Sequence, residues 1–165
     1  LEVVSLPRCP HIQLLLLNAD YPQGDLTAQQ VQRVMDNPLY WVFCWASGQV
    51  LAEFLLENPH WVTGKRVLDF GCGSGVVAVA AALAGAADVV GPIDLIIVAD
   101  VLYDSGNFAW LQRFTERATR VLIADSRVKD FDYPPYRQIA RRSSCTVPDL
   151  DESAEFRDVR IYLAG

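Results

Sequence analysis

An acidic residue and three glycines at two-residue spacing stand together in the stretch VLDFGCGSG. Asp69 ends an apolar run, and Gly71, Gly73 and Gly75 lead into a segment rich in alanine and valine. Glycines in this context allow a sharp turn from strand to helix and let a ligand approach the backbone closely. The N-terminus of the following helix adds free N–H groups and the positive end of a dipole. The pattern predicts a cofactor site, the alternative being a tight turn without a ligand.

The spacing of the glycines and the charge of Asp69 indicate which cofactor the turn favours. A dinucleotide-binding turn has the pattern G-x-G-x-x-G, whereas this turn is G-x-G-x-G. A carboxylate at position 69 would repel a pyrophosphate, but it can receive the ammonium group of S-adenosylmethionine directly or through water. We therefore expect S-adenosylmethionine as the cofactor, and a nicotinamide-dependent oxidoreductase is disfavoured.

An acidic and an aromatic residue follow the next apolar run, in ADVLYD. Asp100 and Tyr103 would lie beyond the carboxyl end of a strand, where open α/β sheets bind their ligands. Asp100 could accept a hydrogen bond from a substrate amine and stabilise the charge that forms on its nitrogen. Tyr103 could line the amine channel through a cation–π contact. The alternative is an aspartate that caps the next turn and a tyrosine packed at the rim.

The elements that must position these residues alternate between strand and helix patterns. Helices are predicted over about 27–35, 47–57, 76–83 and 108–119, with a short one over 136–142. Strands are predicted over 12–17, 65–70, 87–90, 94–99, 120–124, 143–147 and 156–163. This order predicts an α/β fold with a mostly parallel sheet. Asp125, Ser126 and Arg127 end one strand and either line the same cleft or form a helix cap or a salt bridge.

Two of the predicted strands, 87–90 and 94–99, are separated by little more than Gly91 and Pro92. Parallel neighbours in a sheet need a crossover of about a dozen residues or more. A hairpin of this length is also disfavoured, because proline does not suit the second position of a two-residue hairpin turn. We therefore hypothesise that a segment of the protein is absent from this sequence near Val90 and Gly91.

Together these motifs resemble class I methyltransferases, and most closely the electron-transfer-flavoprotein β-subunit lysine methyltransferases and their bacterial relatives. The resemblance spans most of residues 12–163 and is carried by NPLYWVFCWASGQVLAEFLLENP, GKRVLDFGCGSG, ADVLYD and VLIADSR. It implies a Rossmann-like α/β sheet of seven strands with helices on both faces. We assign residues 1–45 to an N-terminal extension or cap and 46–165 to the methyltransferase core.

The resemblance also implies roles for individual residues. It places Asp69, Gly71 and Gly73 at the methionine end of the cofactor, with Trp45 and Gln49 near the cofactor as well.

It makes Asp100 and Tyr103 the site of the substrate amine. It further implies an acidic residue for the ribose hydroxyls, a helix and a third strand after Val90. None of these follows Val90 here, which supports the hypothesis of an absent segment.

Composition limits the remaining possibilities. The net charge of −6 argues against nucleic acid as a partner, and the longest apolar run, Gly75–Ala87, is too short to span a bilayer. The four cysteines show no metal-ligand spacing, so we expect no metal site, and free thiols fit a reducing compartment. The expected location is the cytoplasm, or the mitochondrial matrix if the source is eukaryotic.

The sequence therefore predicts an S-adenosylmethionine-dependent N-methyltransferase that acts on lysine of a protein, with the electron-transfer-flavoprotein β subunit as a possible substrate. Two alternatives remain open. One is a methyltransferase for a small-molecule amine of the nicotinamide type. The other is an inactive methyltransferase fold that serves as a binding module.

Overall fold

Strands and helices alternate along the chain in the computed structural model, which describes residues 1–20, 27–36, 38–87, 91–149 and 152–165. The strands are β1 Glu2–Ser5, β2 Gln13–Leu16, β3 Val67–Phe70, β4 Ile93–Ala99, β5 Ala118–Asp125, β6 Arg137–Ser143 and β7 Asp158–Ala164. The helices are α1 Ala28–Asp36, α2 Ala46–Glu57, α3 Val76–Leu83 and α4 Ala109–Arg117. Within the described ranges, no helix combines the length and the apolar character that a membrane crossing requires.

The central sheet has five strands in the order β3-β4-β5-β7-β6. The first three strands are parallel, as predicted, whereas β7 runs antiparallel to both β5 and β6. Strands β1 and β2 form a separate antiparallel pair. The described chain is therefore an α/β fold around a mixed five-stranded sheet, and the parallel half brings the carboxyl ends of β3, β4 and β5 to one edge.

Helices cover both faces of this sheet, as the resemblance implied. On β4, Leu95 and Ile97 point into a core shared with α2 and α3, whereas Ile96 and Val98 point into a core shared with α4. A strand that is buried on both faces has no solvated side, and this explains why its sequence is a continuous apolar run.

The crossover from β3 to β4 passes through α3, so that β4 pairs in parallel with β3. The predicted strand over 87–90 lies outside the described residues except for Ala87, which is in a loop and donates its N–H to the Lys65 carbonyl at 2.8 Å. The predicted strand over 94–99 is confirmed as β4.

One predicted helix is wrong. Residues 137–143 form strand β6, which pairs with β7, and the Arg141 guanidinium donates to the Asp158 carboxylate at 2.6 Å across this pair. A β-bulge between Gln138 and Ala140 shifts the register, so that Arg137 lies opposite Leu163 and Arg141 opposite Arg160, on different faces of the sheet. Pairing with β7, a distant segment that local spacing does not reveal, makes this segment a strand. The predicted strand over 143–147 is correspondingly displaced, and Val147 makes only an isolated bridge with Cys44.

The N-terminal segment is attached to the core through backbone hydrogen bonds. The Leu17 N–H donates to the Val42 carbonyl at 2.9 Å, and Cys44 and Val147 exchange two bonds of 2.7 and 2.8 Å. These bonds fix a turn of 3₁₀-helix at Tyr40–Val42, which immediately precedes α2. The turn therefore lies at a defined place beside the carboxyl edge of the sheet.

Candidate active site

A cleft with a volume of about 790 Å³ lies where the carboxyl ends of β3, β4 and β5 meet. Gly71 follows β3, Asp100 follows β4 and Arg127 follows β5, and all three line the cleft. This is the position at which open α/β sheets bind ligands. Among the described residues, no group of histidine, cysteine, aspartate or glutamate side chains is arranged to hold a metal ion.

The glycine turn forms one wall of the cleft and has the backbone geometry that its sequence predicts. Gly71 and Gly73 have φ angles of 71° and 50°, in the left-handed region that residues with a Cβ atom avoid. A Cβ atom on Gly71 would lie 2.9 Å from Cγ2 of Val101. Both the conformation and the space at Gly71 therefore require glycine, and Gly71 and Gly73 line the cleft.

Asp69 lies beneath this turn and caps α3. Its Oδ2 accepts the N–H of Ala78, in the first turn of the helix, at 3.0 Å. Burial raises the pKa of Asp69 to about 6, and the Ala78 N–H partly offsets that effect. Asp69 also lines a small crevice that runs under Trp45 and Gly73. A desolvated carboxylate in such a crevice fits an ammonium group, because pairing restores the stability of its charged form.

Trp45 and Gln49 differ in how they relate to the cleft. The Trp45 ring lines it, and its Nε1–H donates to the Tyr40 carbonyl at 3.1 Å. Gln49 lies one helical turn further along α2, is fully buried, and donates from Nε2 to the Cys145 carbonyl at 2.6 Å. The structure therefore brings Trp45, but not Gln49, to the cleft wall.

Asp100 lies at the bottom of the cleft and is almost completely buried. Its Oδ1 accepts the Ser47 hydroxyl at 2.7 Å, and the Ser126 hydroxyl and N–H at 2.8 and 3.1 Å. Its Oδ2 accepts the Ser47 N–H at 3.2 Å. Asp100 also has a φ of 50°, a strained conformation for a residue with a side chain. These bonds connect β4 to the N-terminus of α2 and to the end of β5.

Sequence reasoning missed Ser47, whose partner lies 53 positions further along the chain. The sequence signal that could have indicated Ser47 is a small polar residue in the first turn of α2, two positions after Trp45. Ser126 and Arg127 were recognised as residues of the strand end, without their partners. The structure shows that Arg127 both lines the cleft and forms a salt bridge, with Glu152 at 2.6 Å.

Tyr103 lies at the mouth of the same cleft and is 60% exposed. Its ring centroid is 5.9 Å from that of Tyr40. Partial burial is the main cause that raises the pKa of the Tyr103 hydroxyl above its ordinary value, and the neighbouring Tyr40 raises it further. The cleft thus contains the glycine turn, Asp100 and Tyr103 together, and their chemical roles stay predictions.

Comparison with known proteins relates this arrangement to one family. The electron transfer flavoprotein beta subunit lysine methyltransferase of Xenopus laevis is 30% identical over 197 residues, which cover 94% of this chain and 79% of that protein. The protein of the same name from Danio rerio is 34% identical over 152 residues, which cover 67% of this chain and 59% of that protein. The chain belongs to the electron transfer flavoprotein beta subunit lysine methyltransferase family.

Two further similarities come from other comparisons. A family model described as ribosomal protein L11 methyltransferase (PrmA) matches residues 52–100. The crystal structure of magnesium protoporphyrin IX methyltransferase (ChlM) from Synechocystis PCC 6803 with bound S-adenosylmethionine aligns with a TM-score of 0.49 and 15% identity, over 87% of this chain and 86% of that one. The chain is thus an S-adenosylmethionine-dependent methyltransferase, which confirms the predicted enzyme class and cofactor.

Proposed function

We propose that this enzyme methylates the ε-amine of lysine in a protein, and that the electron transfer flavoprotein beta subunit is the first substrate to test. One observation carries the proposal: a single cleft holds the glycine turn with Asp69 on one side and Asp100 with Tyr103 on the other. The family relatives carry this substrate in their names.

The residues of the turn suit the methionine end of the cofactor. Asp69 would bind the ammonium group of the cofactor. The backbone at Gly71 and Gly73 would leave room for its methionine moiety, and the Trp45 ring would cover that moiety. When bound, S-adenosylmethionine supplies a methyl group on a positively charged sulfur. A cofactor held by the turn would leave the part of the cleft lined by Asp100 and Tyr103 for the amine.

Asp100 is suited to hold the attacking amine. In the described structure its Oδ1 accepts three hydrogen bonds, whereas Oδ2 accepts only one, from the Ser47 N–H. Oδ2 therefore has capacity to accept an N–H of a neutral amine and to stabilise the positive charge that develops on nitrogen. Because the carboxylate is already fixed by its partners, it needs no rearrangement during the reaction. The amine must lose its proton before it attacks, so we expect activity to increase with pH through the neutral range.

The rival functions account less well for the cleft. A small-molecule amine would call for a closed pocket, whereas this cleft opens between Tyr40 and Tyr103, which are 47% and 60% exposed. An inactive binding module would not need Asp69, the glycine turn and Asp100 together.

We also propose that the complete enzyme has a seven-stranded sheet. Strand β3 forms an edge of the described sheet, and Leu68 on this strand is exposed. The alignment with the Xenopus protein runs over 197 positions but includes 94% of the 165 residues of this chain, about 155, so that about 42 positions have no counterpart here. A strand–helix–strand unit needs roughly 30 residues, so an excess of this size suffices for the segment hypothesised near Val90 and Gly91. Cytoplasmic location stays a prediction.

The test uses radiolabelled S-adenosylmethionine with the full-length enzyme and two substrates, namely purified electron transfer flavoprotein and a size-fractionated lysate from a host that lacks the gene. We expect label in the beta subunit, on lysine, and none with Asp100→Ala enzyme. Label only in the small-molecule fraction would identify a metabolite methyltransferase instead. Cofactor binding without label in either fraction would support the binding module.

A further inference from the structure

We propose that Tyr40 and Trp41 form, with Tyr103, an aromatic mouth that grips the side chain of the substrate lysine. The assignment rests on the proposed function and extends it, because it makes the N-terminal segment part of the substrate site. Tyr40 and Trp41 lie outside the core that carries the cofactor turn, and the sequence motifs gave them no role.

The three residues of the aromatic mouth line the cleft, and all three are exposed. The Tyr40 and Tyr103 ring centroids are 5.9 Å apart and their planes are inclined by 36°. Tyr40, Trp41 and Tyr103 are 47%, 50% and 60% exposed. Large aromatic side chains grouped at the opening of a cleft are typical of a recognition surface.

The backbone that carries Tyr40 and Trp41 is held firmly. The Val42 side chain is buried, its carbonyl accepts the Leu17 N–H at 2.9 Å, and its N–H donates to the Leu39 carbonyl at 3.2 Å. The Tyr40 carbonyl accepts the indole N–H of Trp45, which itself lines the cleft. The turn therefore projects its two aromatic rings from a fixed base, and their exposure is not the result of a loose segment.

The charges around the cleft favour a lysine side chain as the occupant. Asp100 contributes a carboxylate to its lining that is held by hydroxyl and backbone N–H donors. Arg127, which also lines it, is paired with Glu152 at 2.6 Å and stacks over the Phe156 ring at 3.9 Å, so that its charge is compensated. Aromatic faces attract an ammonium group and pack against methylene groups. A lysine that enters between Tyr40 and Tyr103 would meet aromatic faces along its chain and Asp100 at its end.

The test measures methylation kinetics of the full-length enzyme with electron transfer flavoprotein as substrate, and cofactor affinity by calorimetry. We expect Tyr40→Ala and Trp41→Ala each to raise KM for the protein by about tenfold, with kcat changed less and cofactor affinity unchanged. Tyr40→Phe keeps the ring and should recover the low KM. Leu83→Ala, at a 61% exposed site on α3 outside the cleft lining, serves as the control.

Two results would overturn the assignment while leaving the proposed function intact. One is an unchanged KM in both alanine variants, with circular dichroism showing that they are folded. The other is a loss of cofactor affinity that accounts for the whole effect, since the rings would then belong to the cofactor site. If the wild-type enzyme binds the cofactor but labels no protein, the proposed function itself fails, and the assignment of the aromatic mouth to a substrate lysine fails with it.

Discussion

Ser47 donates two hydrogen bonds to Asp100, from its hydroxyl to Oδ1 at 2.7 Å and from its backbone N–H to Oδ2 at 3.2 Å. Ser47 is the second residue of α2, so the carboxylate lies at the positive end of the helix dipole. Hydroxyl and backbone N–H donors of Ser47 and Ser126 thereby hold this buried carboxylate in place. This leaves the cleft side of Asp100 free for a substrate amine.

Replacement of Asp100 separates chemistry from cofactor binding. We expect Asp100→Ala to lower the methylation rate by at least about 100-fold, because the amine loses a fixed acceptor for its developing charge. Cofactor affinity should change little, since Asp69 and the glycine turn are intact. The measurement combines single-turnover methylation with calorimetric binding of S-adenosylmethionine.

Asp100→Asn is the matched variant, because it keeps the volume and one oxygen acceptor but removes the charge. An intermediate rate is expected from it. If Asp100→Ala methylated at the wild-type rate, Asp100 would have no part in the transfer; a wild-type rate in Asp100→Asn alone would show that its charge has no part.

The hydroxyl of Ser47 should contribute measurably to stability. Ser47→Ala removes a buried hydrogen bond to a charged group and is expected to lower the free energy of unfolding by about 2 kcal/mol. Urea denaturation measures this change. Ser153→Ala is the control, because the Ser153 hydroxyl is exposed and makes only a 3.4 Å contact with Glu155. Equal stability losses in the two variants would show that Asp100 does not depend on the Ser47 hydroxyl.

The local sequence was sufficient to predict the elements around the cofactor turn. Helix α3 was predicted over 76–83 and has those bounds, because a glycine turn precedes it and Gly85 follows with a φ of 90°. Strand β4 was recognisable because burial on both faces gives an unbroken apolar run. The position of Asp100 and Tyr103 at the cleft followed from their place beyond this strand.

Long-range pairing could not be predicted in the same way. The segment over 136–142 was predicted as a helix, and its pairing with the distant strand β7 makes residues 137–143 a strand with a bulge between Gln138 and Ala140. The resemblance places Gln49 near the cofactor; in the structure its side chain is buried and donates to the Cys145 carbonyl, and its role stays a prediction. For both β6 and Gln49, a segment that is distant in sequence determines the environment.

Gly71 and Gly64 allow the cofactor role of the turn to be tested apart from backbone strain. Their φ angles are 71° and 68°, so alanine is disfavoured at both by about 1–2 kcal/mol. A Cβ atom at Gly64 meets nothing within 4 Å, whereas one at Gly71, which lines the cleft, would lie 2.9 Å from Cγ2 of Val101. We expect both alanine variants to lose stability and only Gly71→Ala to lose cofactor binding as well. Normal cofactor affinity in Gly71→Ala would exclude close approach of the ligand at this glycine.

The pKa of Asp69 predicts how cofactor affinity depends on pH. Burial raises this pKa to about 6 in the free enzyme, and only the ionised carboxylate attracts the ammonium group. Between pH 7 and pH 5 we therefore expect affinity to fall by about tenfold, since about one molecule in ten carries an ionised Asp69 at the lower pH. Calorimetric titrations across this range measure the slope, and Asp69→Asn should bind weakly with little dependence on pH.

Asp125→Asn is the control for this slope. Burial also raises the pKa of Asp125 to about 6, but its Oδ1 accepts the backbone N–H groups of Arg127 and Val128, and the residue does not line the cleft. The Asp125→Asn enzyme should therefore keep the wild-type slope of cofactor affinity against pH. If the slope disappeared in Asp125→Asn and persisted in Asp69→Asn, the titrating group that controls binding would be Asp125, and Asp69 would act only as the cap of α3.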